Sequence, residues 1–112
     1  MTHNELMARL AGAEIPVAYD HYAEGESPDP PFICFRYPGS DNFSADGHVY
    51  YKITQADVEL YTDLKNPELE EKLEGILDEY GIFYDKTEGW IESERLYEVL
   101  YTFETGGSLL AE

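Results

Sequence analysis

The stretch NPELEEKLEGILDEYG, residues 66–81, restricts the fold of this chain more than any other segment. Asn66 is a good N-cap, and Pro67 suits the first helical position, where its missing N–H is not needed. Leu69, Leu73, Ile76, Leu77 and Tyr80 then recur on one face as a continuous apolar stripe. Gly81 is placed to close the helix in the left-handed region. Leu73 lies mid-stripe, with Glu74 expected on the opposite, solvent side. Glu68, Glu70 and Glu71 suit the positive N-terminal end of the dipole, whereas Asp78 and Glu79 sit at the wrong end. Stability alone does not account for so acidic a helix.

The remaining segments read mostly as strands. Residues 2–11 are the exception and form a short helix. Thr2 and Glu5 have capping-box spacing, Glu5 and Arg9 pair at i,i+4, and Leu6 and Leu10 share a face. IPVAY (15–19) reads as a short strand, with Pro16 favouring an edge or the strand start. The acidic, proline-rich residues 20–31 read as a loop. FICFRY (32–37) is β-branched and aromatic, hence a strand. PGSDNFSADG (38–47) is dense in turn formers and reads as an exposed loop.

Residues 48–62 contain a phase slip. Val49, Tyr51 and Ile53 alternate on odd positions, and Ala56, Val58 and Leu60 on even ones. A β-bulge near Thr54–Gln55 would put Ile53 and Ala56 on one face, and two separate strands are the alternative. Residues 82–92 read as a strand turning at Glu88–Gly89. Residues 94–104 fit both periods, and their aromatic and β-branched content favours a strand. The expectation is an α+β domain over residues 1–104, order α-β-β-β-α-β-β, followed by a flexible tail at 105–112. A mostly antiparallel sheet with two helices packed on one face is the economical arrangement.

Charge narrows the function classes. Seven Lys and Arg stand against 24 Asp and Glu, a formal net charge of −17. Such a surface repels nucleic acid and anionic membrane, so neither is an expected partner. Ten Tyr and five Phe argue against disorder. The single cysteine, Cys34, cannot form an internal disulfide and fits a reducing cytoplasm. No apolar run has the length of a membrane span, and MTHNELMARL lacks the apolar core of a signal peptide.

Catalytic and cofactor signatures are missing. His3, His21 and His48 are scattered and read as solvated. Cys34, between Ile33 and Phe35, reads as a buried, inert thiol. Asn42, Ser44, Asp46 and Gly47 match the first positions of a calcium loop, but Ile53 falls where the bidentate Glu is required. Ser93 and Ser108 lack a nucleophile elbow. Lys65, Lys72, Lys86 and Arg95 each have acidic neighbours and form no basic patch. No catalytic, cofactor or metal residue is expected, and the chain does not read as an enzyme.

Three segments carry a resemblance: PPFICFRYPGSDNFSADGHVYYK, VELYTDLKNPELEEKLEGIL and WIESERLYEVLYTFE. They resemble small tail-completion and head–tail joining proteins of long-tailed phages and prophages. The element order also looks like the tail-terminator fold. The resemblance implies a structural protein of the virion neck, assembled in the host cytoplasm. It would form a ring, commonly a hexamer, capping the tail tube and meeting a head-completion or connector protein. It implies no catalytic residue. In such a ring the acidic helix would either line the lumen, repelling passing DNA, or lie outside as a solvated face. The competing class is an acidic DNA mimic that occupies a basic cleft on a host enzyme. The dispersal of acids over helix, loops and strands counts against it.

Overall fold

A computed structural model describes residues 1–23, 25–45 and 47–106. Helix α1 spans His3–Ala11, and strands β1 and β2 follow at Val17–Tyr19 and Phe32–Ser40. Strands β3 (Phe43–Ala45) and β4 (His48–Tyr51) precede β5 (Ile53–Thr62), helix α2 (Pro67–Glu79), β6 (Tyr84–Ile91) and β7 (Leu96–Gly106). The main sheet has the order β1-β2-β5-β7-β6, while β3 and β4 form a separate two-stranded sheet. Apart from that hairpin, the order is α-β-β-β-α-β-β, and the fold is α+β. Among the described residues, no helix is long and apolar enough to cross a membrane.

Both helices start where local chemistry places them. The Thr2 hydroxyl accepts from the Glu5 backbone N–H, and the Asn66 side chain accepts from that of Leu69. Gly81 has φ 68°, and Ile82 N–H reaches back to the Leu77 carbonyl. Leu6 and Leu10 of α1 and Leu73 and Leu77 of α2 share one buried cluster with Ile33, Phe35, Val58, Leu60, Val99 and Tyr101. Ile33 lies opposite Leu60, which lies opposite Val99, and Phe35, Val58 and Tyr101 form the next row. These rows define the helix-covered face.

The phase slip resolves into two strands. β4 belongs to the small hairpin and ends before Lys52, and β5 runs in unbroken register with β7 from Ile53–Gly106 to Thr62–Tyr97. The expected bulge at Thr54–Gln55 is therefore absent. Ala56 is buried, while Ile53, an odd step away, lies on the other face of the ladder and is only half-buried. An irregularity occurs on β2 instead. Arg36 pairs with Asp57 and Gly39 with Gln55, so one residue is extra, and Pro38 lies within it. Proline cannot donate to a ladder and is accommodated at such a bulge.

Several other boundaries differ from expectation. Residues 38–47 are not all loop, since β2 continues to Ser40 and β3 pairs with β4. Glu88 and Gly89 do not turn but pair with Val99 and Glu98, and the reversal comes at residues 92–95, where Arg95 has φ 54°. β7 continues through Thr105 and Gly106, opposite Thr54 and Ile53, so these first two residues of the expected tail belong to the sheet. The rest of that tail, 107–112, lies outside the described residues. Tyr80 leaves the apolar stripe and is exposed, with the Arg9 guanidinium 3.5 Å above its ring.

β1 pairs with β2 in parallel, Val17 with Ile33 and Tyr19 with Phe35. Parallel neighbours need a crossover of about a dozen residues. The 20–31 segment supplies it. Its Tyr22 packs edge-on against Phe32, at 5.5 Å between ring centres, on the face opposite the helices.

Candidate functional site

Two regions of the surface stand apart from the rest in their chemistry. One is the helix-free face of the sheet, and the other is the outer edge of β6.

The helix-free face consists of the side chains that alternate with the core. Asp57, Glu59 and Tyr61 project from β5, Cys34 and Arg36 from β2, and Glu98 from β7. The Tyr61 hydroxyl bridges two carboxylates, donating to Glu59 and lying 2.9 Å from Glu98 Oε2. Arg36 Nε lies 3.6 Å from both Asp57 and Glu59. Burial raises the Glu59 carboxyl; Tyr61 opposes the shift and Glu98 adds to it. Burial, then the two carboxylates, pushes the Tyr61 phenol strongly upward. One guanidinium thus faces three carboxylates. No group of three potential ligands among the described residues is arranged to hold a metal ion.

Beside this cluster the crossover segment and the β6–β7 turn wall off a groove of about 520 Å³. Phe32, Tyr61, Leu96 and Pro30 contribute to its lining, and Asp20, Asp63, Glu94 and Arg95 to its polar part. Cys34 is buried at its base, and burial pushes its thiol up to about 11. An inert thiol is the expected consequence, since the thiolate is the reactive form.

The β6 edge is the second region. Among the described residues, β7 is its only strand partner. Phe83 precedes it and is 85% exposed, and Trp90 near its far end is 44% exposed. A long open edge is a template for another strand.

Part of the acidic helix faces inward. Glu70 is only 3% exposed and holds Lys65 Nζ at 2.7 Å and Lys86 Nζ at 2.9 Å. Glu74 accepts from Lys86 at 2.8 Å and from the buried Tyr101 hydroxyl at 2.7 Å. The expectation that Glu74 faces water is corrected here. Lys86 shares the helix side of β6 with Tyr84 and supplies the countercharge.

Other residues singled out from the sequence lie elsewhere. His3 is not solvated: its Nδ1 lies 2.6 Å from the Tyr37 hydroxyl, and its ring packs among Tyr19, Phe35 and Tyr37. His21 is exposed and contacts Asp20 at 2.8 Å. Asn42 Oδ1 accepts from the Ile53 backbone N–H at 3.1 Å. The side chains of Ser44 and His48, and Asp46 and Ser108 as a whole, lie outside the described residues. Ser93 sits exposed in the β6–β7 turn. Lys72 reaches Glu14 at 3.4 Å.

Comparison of the chain with protein-family models and with curated proteins finds no match.

Proposed function

We propose that this chain is a structural ring subunit of a phage neck, a tail terminator that caps the tail tube and joins it to the head. The observation that carries the reading is the open β6 edge, bordered by Phe83 and Trp90. The other edge of the sheet is β1, so a contact of β6 with β1 of the next copy would be head-to-tail. Contacts of that kind close into rings or run on as filaments. The α+β order also agrees with the one that the resemblance implies. The alternative, an acidic mimic of DNA, has less support, because Glu70 and Glu74 are engaged internally rather than displayed along α2.

Subunits of net charge −17 repel one another at long range. Ring formation should therefore strengthen with added salt, as screening shortens to about 3 Å near 1 M. Light scattering across a salt series, with and without purified tail tubes, tests this. Phe83→Ser combined with Trp90→Ser should prevent association while leaving the fold intact. A chain that stays monomeric throughout and never binds tube ends would sink the reading.

A further inference from the structure

We propose that the helix-free face of the sheet docks a basic segment of a different protein, seating one apolar side chain in the groove beside Tyr61 and the segment's cations over Glu59 and Glu98. The proposal is independent of the ring, which rests on the sheet edges.

Three observations carry it. The groove's volume, about 520 Å³, lies within the usual range for sites that take a bound group. Its floor is aromatic and aliphatic, with Phe32 and Leu96 available to an apolar anchor. Charge then selects the partner. Asp57, Glu59 and Glu98 cluster next to it with only Arg36 in opposition, and Asp20 lines both the groove and this cluster. Arg95 on the groove wall is set against Asp20, Asp63 and Glu94, and His21 there already contacts Asp20. A second copy of this chain is a poor occupant, because seven Lys and Arg are distributed among 24 acids and no basic run exists. Complementary potentials of this kind steer association and fix register. Tyr22 adds a local cue: it lines the groove, and its buried hydroxyl has no hydrogen-bond partner among the described residues.

The test uses the full chain and a fluorescein-labelled peptide of lysines and arginines around one central leucine. A second peptide replaces the leucine with serine. Anisotropy at low salt should show binding of the leucine peptide, with the serine peptide weaker by roughly tenfold. Glu59→Gln and Glu98→Gln, each close to isosteric, should both weaken the leucine peptide by about tenfold. Glu79→Gln, the same charge change on the exposed end of α2, should leave binding unaltered. Circular dichroism establishes that each variant is folded, and either face variant alone suffices. Equal affinity for the two peptides, or equal weakening by Glu79→Gln, would mean unspecific attraction to a polyanion and overturn the proposal. So would the absence of binding at low salt.

Discussion

Leu73→Ala is expected to lower stability by about 2–5 kcal/mol, as other large-to-small core changes do. Leu73 is fully buried in the cluster that joins both helices to β2, β5 and β7. Truncation leaves a cavity between α2 and the sheet, where the interlocked rows give little room to collapse. Its neighbour Glu74 should not be silent either. Glu74→Ala removes the acceptor of the Tyr101 hydroxyl and one of the two carboxylates of Lys86. An unsatisfied buried hydroxyl costs roughly 1–3 kcal/mol. Urea midpoints for the two variants measure both effects. A Glu74→Ala midpoint equal to that of the unaltered chain would contradict the inward orientation of that side chain.

Lys86→Met should be the most informative charge change. Burial works to raise the Glu70 carboxyl, but hydrogen bonds from Lys65 and Lys86 outweigh it and hold the group below its ordinary value. Removing one partner of a buried pair commonly costs about 3–5 kcal/mol. Lys65 remains in the variant and Lys86 itself is partly exposed, so roughly 1–3 kcal/mol is expected. The sign with pH follows from linkage. In the unaltered chain the depressed carboxyl contributes stability above its unfolded pKa and loses it as pH falls through the folded one. In Lys86→Met one of its two opposing cations is gone, and protonation relieves the partly unpaired charge. The deficit should thus be largest near pH 7 and shrink as pH falls below the ordinary carboxylate range of about 4, toward the depressed value of Glu70. A deficit independent of pH would show that Lys86 acts through its aliphatic stem alone.

Local chemistry made the helices legible. The caps at Thr2 and Asn66, the paired leucines of α1 and the glycine after α2 act within a few residues, and each functions as its sequence implies. Strand pairing was legible only in part, because partners lie far apart in sequence. Val49 and Tyr51 belong to the small hairpin, whereas Ile53 begins the same main-sheet strand as Ala56, Val58 and Leu60, a break that no property of Thr54 or Gln55 reveals. Gly89 resembles a turn residue until Glu98 is seen opposite it, while the true turn at 92–95 contains neither glycine nor proline. The parallel pairing of β1, and so the groove under the crossover segment, depends on contacts across the sheet. In the candidate site, Asp57 and Glu59 alternate visibly with the core of β5. Their convergence with Glu98 through Tyr61 needed the register of β7.

The unbroken β5–β7 register also determines how the subunit bears mechanical load. Its paired positions run continuously from Ile53–Gly106 to Thr62–Tyr97. Antiparallel hydrogen bonds lie perpendicular to the strands. Force applied along the strand axis loads them together in shear, so the central ladder yields only when many break at once. Force applied across the strands peels the ladder open one bond at a time, starting from whichever end is pulled. A subunit loaded along β5 and β7 is mechanically stiff, and the same subunit loaded sideways is weak.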